Sequence, residues 1–204
     1  MNDLLAFPAT TGLILANLVA SLAAFRSQGF LNQNIFHVGA IRSRWEYHRL
    51  ITSGFLHLNT LHLAVNMITL YFFGPYIERV LGVGDYLIIY FTALLGGNLW
   101  SLLEHAKQPN YGALGASGAV SGVVIAFCLF EPFAMLGIFF IIPMPAIVFA
   151  ILYIALSAYL STRPNTVVGH DAHLGGAITG GLVTVFLHPE AWTSFTRALS
   201  ELFN

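Results

Sequence analysis

The chain has 204 residues, of which 57% are hydrophobic and only 8% charged, and its mean hydropathy is +0.76. Soluble globular domains carry about 25% charged residues, so this composition excludes that class and puts the chain in a lipid bilayer. Lys and Arg number 8 against 9 Asp and Glu, a net charge of −1. That is too little basic surface to neutralise a row of phosphates, so nucleic acid is set aside as a partner. The single cysteine, Cys128, lies in the apolar run 123–129 and reads as a small core residue.

A spanning helix needs about 20 mostly apolar residues. Six such stretches are predicted, near 10–25, 55–73, 83–103, 115–130, 143–161 and 169–187. The second is predicted to end at Gly74-Pro75. Between the fourth and fifth, the apolar interval from Glu131 to Ile142 is broken by Pro132 and closes on Pro143-Met144-Pro145. It reads as an interfacial or re-entrant connection, with a kinked fifth helix as the alternative. The segment 26–53 is the longest polar connection and holds Arg26, Arg42, Arg44 and Arg49; its Phe36, Trp45 and Tyr47 suit a loop lying in the membrane interface. The expectation is one all-α integral membrane domain over 1–204, a bundle of six transmembrane helices. The leading segment 1–5 has no Lys or Arg, so the first run reads as a retained helix and not a signal peptide. A cytoplasmic N-terminus would leave only Arg79 and Arg197 inside, and the positive-inside rule favours the opposite orientation.

Polar groups inside spanning segments are costly and usually face a bundle interior or a watery cavity. His57, His62 and Asn66 fall within ten residues of the second stretch, with His62 and Asn66 at i and i+4 on one helical face. Interhelical hydrogen bonding is the competing explanation for each taken singly. The fourth stretch opens Gly112-Ala-Leu-Gly115-Ala116-Ser117-Gly118, with Ser121 and Gly122 following. A serine at a helix start is surrounded by backbone N–H groups that lack intrahelical acceptors, which suits a nucleophile whose oxyanion those donors would stabilise. Alone, Gly115, Gly118 and Gly122 would read simply as a small packing face. In the sixth stretch His173, Gly176 and Gly180 follow i, i+3, i+7 spacing and share a narrow face. Packed against the small face of the fourth stretch, that face would carry the His173 imidazole to Ser117, as a base within about 2.6–3.2 Å requires. Asp171 lies about 200° around the helix from His173. The expectation is therefore a Ser/His dyad without an orienting carboxylate, and with slow turnover.

At these residues the sequence resembles the rhomboid family of intramembrane serine proteases, over nearly the whole chain. Gly115-Ala116-Ser117-Gly118 matches the family's G-x-S-G, followed in order by His173 and Gly176 and preceded by His57, His62 and Asn66. The resemblance implies a six-helix fold, Ser117 as nucleophile and His173 as general base. It also implies an oxyanion hole of His62, Asn66 and the Ser117 N–H. His57, Arg49, Glu78, Gly115, Gly118, Gly176 and Gly180 are implied as structural residues near the site, and the connection 162–168 as its cap. Two departures stand out. Ser121 occupies the position where many rhomboids carry a tyrosine against the histidine ring, and His48-Arg49 replaces a Trp-Arg pair. The resemblance also implies cytoplasmic termini, against the charge count. The expected partners are transmembrane-protein substrates and the bilayer, with no metal or organic cofactor, and the expected location is a bacterial inner membrane. A haem or metal protein ligated by His57, His62 and His173 is the alternative from another class, although H-E-x-x-H is missing. A non-catalytic relative that binds membrane helices is the third reading.

Overall fold

Proline at a helix start loses no hydrogen bond, and Pro8 opens the first helix of the computed structural model, which describes residues 6–138, 142–161 and 169–201. Helix α1 (Pro8–Arg26) leads into the long connection, which is itself structured: α2 (Gln28–Asn34), β1 (Phe36–His37), α3 (Val38–Arg44), α4 (Arg49–Thr52) and a 3-10 turn at Ser53–Phe55. Ser27 Oγ caps α2 by accepting the Phe30 N–H. Next come α5 (Thr60–Glu104), β2 (Gly112–Ala113) and α6 (Ser117–Phe130), then the hairpin of β3 (Met135–Ile138) with β4 (Ile142–Pro145). Helices α7 (Ala146–Ser161), α8 (His170–Leu187) and α9 (Pro189–Glu201) complete the order.

Several boundaries differ from the sequence expectation, each for a local reason. The second stretch begins at Thr60, where Asn59 Oδ1 accepts the His62 N–H, so His57 lies in the turn before the helix. The helix does not stop at Gly74-Pro75 either. It runs on to a break at Gly82, whose φ of 79° and ψ of 168° are accessible to glycine without a side-chain clash. Tertiary contact overrides the proline signal: Gly74 and Pro75 are buried, and a Cβ on Gly74 would stand 2.7 Å from Tyr86 Oη and 2.8 Å from Thr10 Oγ1. The interval 131–142 contributes a hairpin strand, and α7 follows Pro145 without a kink. The connection 162–168, expected to cap the site, lies outside the described residues. Among the described residues, two helices are long and apolar enough to cross a membrane, Pro8–Arg26 and Thr60–Glu104, with Ser117–Phe130 and Ala146–Tyr159 as shorter apolar helices.

The centre of the fold is a junction of α5, α6 and α8, built on missing side chains. A methyl on Gly176 would overlap the Gly118 carbonyl, and one on Gly180 would overlap Gly122 Cα. On the α5 side, a methyl on Gly97 would stand 2.5 Å from Ala172 O. Around the junction, Leu70, Ile77, Tyr86, Ile89, Tyr90 and Val123 form the main apolar cluster. Glu78, buried on α5, anchors α1: its carboxylate accepts Ala9 N–H at 2.9 Å, Thr10 N–H at 2.8 Å and Thr10 Oγ1 at 2.7 Å. Those are first-turn donors with no intrahelical acceptor. Gly176→Ala should therefore destabilise the protein by about 1–3 kcal/mol through overpacking against backbone. Gly84→Ala, inside helix α5 where nothing lies within 4 Å, should instead be neutral or stabilising by up to about 1 kcal/mol; thermal unfolding in lipid micelles compares the two.

At the far end of α8, His188 bonds Asp85 Oδ2 at 2.8 Å and Glu190 Oε1 at 2.9 Å. Burial works to lower its pKa, but the two carboxylates prevail and raise it. The folded state therefore holds this proton more tightly than the unfolded chain. The resulting stability is complete below the ordinary histidine value of about 6.5 and is lost as pH rises through the raised value. Unfolding temperature measured across that window should fall in the wild type, and the His188 contribution to that fall should vanish in His188→Gln.

Candidate active site

Ser117 is the first residue of α6, and the turn that delivers it demands glycine twice over. Gly115 has a φ of +134°, and a Cβ there would stand 2.7 Å from His62 Cε1 and 3.6 Å from Ser117 Oγ. The backbone of this turn is pinned by Gly115 N–H to Ser53 O at 3.0 Å, and the first bond of α6 runs from Val120 N–H to Ala116 O at 2.9 Å. The N–H groups between them are the orphan donors of a helix start. Ser117 therefore stands at the positive end of the α6 dipole.

His173, in the first turn of α8, meets that hydroxyl: its Nε2 is 2.6 Å from Ser117 Oγ. The glycine junction makes this contact possible, because Gly118 and Gly176 let the two helix starts approach at backbone distance. Asp171 does not reach His173. It is buried and lies 3.3 Å from His105 Nε2, whose ring stacks on Tyr111 with centroids 3.5 Å apart. The ring that does lie against His173 is Tyr153 on α7, with centroids 6.1 Å apart and planes inclined by 20°. Sequence reasoning missed Tyr153. The available signal was Tyr153 and Ser157 at i and i+4, two polar groups on one face of an otherwise apolar helix.

His57 lies 1% exposed behind the turn, and its tautomer follows from its neighbours. Ser21 Oγ donates to Phe55 O at 3.0 Å, so it accepts the Nδ1–H of His57 at 2.9 Å. Nε2 is then the acceptor that faces the Ala116 N–H at 3.4 Å. With both ring nitrogens engaged by protein, His57 has none left for a metal, and no group of three His, Cys, Asp or Glu suited to a metal occurs among the described residues. The His62 ring packs edge-on to His57 at 5.0 Å and against Gly115. Asn66 is buried one turn further along α5, where its amide donates to His62 O at 2.9 Å and the second N–H of that nitrogen remains. Leu63 and Met67 pack with Ala116 and Val120, which turns this part of α5 toward the start of α6.

Arg49 and Glu78 serve other parts of the scaffold. Arg49 is buried and donates from Nη1 to Asn32 O and Ile35 O, each at 2.8 Å, at the C-terminal end of α2. Glu46 completes this knot; hydrogen bonds from Arg44 and Arg49 hold its carboxyl down at about 2.

The Rhomboid domain family model matches residues 44–190, more than half of the chain. The chain belongs to the rhomboid family, a family of intramembrane serine proteases. It is similar to RHOMBOID-like protein 12, mitochondrial, of Arabidopsis thaliana, at 33% identity over 188 residues, covering 84% of this chain and 56% of that protein. The human Presenilin-associated rhomboid-like protein, mitochondrial, is 30% identical over 149 residues, 70% of this chain and 38% of that protein. Rhomboid protein 1, mitochondrial, of Saccharomyces cerevisiae is 33% identical over 138 residues, 65% of this chain and 40% of that protein. The chain thus spans between 38% and 56% of the length of these relatives. They overturn the expected bacterial inner membrane, since all three are mitochondrial proteins. Composition and hydropathy put a chain in a bilayer without saying which membrane it is, so no residue had pointed to the bacterial location.

Ser21→Ala would leave the buried His57 Nδ1–H without its acceptor. A loss of about 1–3 kcal/mol in stability is expected, read as a lower unfolding temperature.

Proposed function

We propose that this protein is an intramembrane serine endopeptidase that cleaves peptide bonds in or near transmembrane segments of other membrane proteins. The observation that carries the reading is the 2.6 Å approach of His173 Nε2 to Ser117 Oγ at a helix start. As Ser117 Oγ attacks the scissile carbonyl carbon, its proton passes to His173 Nε2. The carbonyl oxygen becomes an oxyanion stabilised by the Ser117 N–H with His62 and Asn66. His173 then protonates the departing amine, and the acyl-enzyme is hydrolysed by a water that gives its proton to the same nitrogen. Water activation and charge stabilisation are both supplied by the chain's own groups.

The proposed architecture is a single membrane domain in which α1, the two arms of α5, α6, α7 and α8 are the six spans. Helix α6 supports an active site below the lipid surface. Its 14 residues extend about 21 Å, against a hydrocarbon thickness of about 30 Å. The connection before it must therefore dip into the membrane, which is tolerable only with its backbone satisfied by protein. Pairing of β2 with β1, Val38 N–H to Tyr111 O at 3.1 Å, Gly39 N–H to Pro109 O at 2.9 Å and the Gly115–Ser53 bond meet that requirement. The mitochondrial relatives support a mitochondrial membrane as the location.

The test is purified full-length protein in proteoliposomes with a fluorogenic transmembrane peptide. Wild type should cleave it, and Ser117→Ala and His173→Ala should each lower kcat by roughly 10³-fold or more. Cleavage that survives both substitutions would overturn the assignment.

A further inference from the structure

Among the described residues no carboxylate bonds the His173 ring, and Asp171 lies against His105 instead. Imidazole orientation therefore depends on what packs against it. From its own helix, His170 contributes only an edge, at 5.7 Å and 83°. Tyr153 of α7 instead lies nearly parallel to the imidazole, within the distance range of stacked rings.

Tyr153 is itself held by both its ring and its hydroxyl. Phe149, one turn earlier on α7, stacks on it at 5.7 Å and 16°. Its hydroxyl contacts Ser121 Oγ at 2.5 Å. Ser121 spends its own proton on Ser117 O at 2.5 Å, so the Tyr153 hydroxyl is the donor in the pair. A chain of hydrogen bonds then runs from α7 through Ser121 to the carbonyl of Ser117, while the ring at its other end lies against His173. Ser121 is small enough for the tyrosine of another helix to reach the start of α6.

We propose that Tyr153 is the positioning residue for His173, holding the imidazole in plane for Ser117 from α7. This role rests on the protease reading above. It makes the alignment of the base a property of the contact between α7 and the α6–α8 pair. A displacement of α7 away from α8 would release the ring without moving either α6 or α8.

The experiment uses the full chain in proteoliposomes with the same transmembrane peptide, and reads kcat, KM and unfolding temperature. Tyr153→Ala should lower kcat about tenfold or more with KM within about twofold, since a small misplacement of a catalytic group is costly. Tyr153→Phe keeps the stacked ring and should retain most of that rate. Adding Ser121→Tyr to Tyr153→Ala should recover activity, because the new ring would fill the vacated space from one turn after Ser117. A kcat for Tyr153→Ala equal to wild type overturns the proposal. So does a loss shared equally by Tyr153→Phe, or a loss matched by unfolding at the assay temperature and not recovered in the double variant. Ser117→Ala separates the two levels: if wild-type cleavage does not depend on Ser117, the protease reading fails and the positioning role fails with it. If cleavage depends on Ser117 but is indifferent to residue 153, only the positioning role is lost.

Discussion

Close approach of α6 and α8 across bare glycine backbone is the constraint from which the rest of the molecule follows. Lipid tails are as apolar as leucine, so helices in a membrane gain little by hiding apolar surface from one another and associate through tight packing and polar contacts. Gly118 against Gly176, and Gly122 against Gly180, supply such packing. The same contact sets the distance between two helix starts, one carrying a hydroxyl and the other an imidazole. Ala93 and Gly97 on the second arm of α5 close the third side, so the junction is triangular and cannot open at one edge without disturbing the others.

Around that junction the site relies on neutral groups. Ser117 sits among helix-start N–H donors, His57 is locked as one tautomer by Ser21 and Ala116, and Tyr153 offers a ring face and a hydroxyl. The buried carboxylates, Glu78 and Asp171, are occupied elsewhere, by the start of α1 and by His105. In a medium of low dielectric, charge left unpaired is expensive, and dipoles fixed by the backbone avoid that penalty. His57 is held most firmly, because both its ring nitrogens have a specified partner.

Much of this could be read from residue spacing. The i, i+3, i+7 pattern of His173, Gly176 and Gly180, and the glycine-serine run at 115–118, each imply a narrow face, and two narrow faces imply contact. Helix existence followed from apolar run length. Less could be read where distant parts of the chain decide the outcome. Gly74-Pro75 is a strong local stop signal, yet contacts with Thr10 and Tyr86 carry the helix past it to Gly82. The segment 26–53 is polar enough to look like an open loop, but Arg49 binds two carbonyls of α2 and draws it into short helices. Tyr153 was hidden for a related reason. Its significance depends on a ring 20 residues further along the sequence, and on the empty space left by a serine on a third helix.

Helix α1 lies wholly outside the span that matches the family, which begins at residue 44. Nevertheless its Ser21 fixes the ring of His57, and His57 faces the amide next to Ser117. Its first turn is held by Glu78 from within the matched span. The edges of the family match are therefore not the edges of the packed unit. Trimming to the recognisable part would sever an orienting hydroxyl from the imidazole it serves.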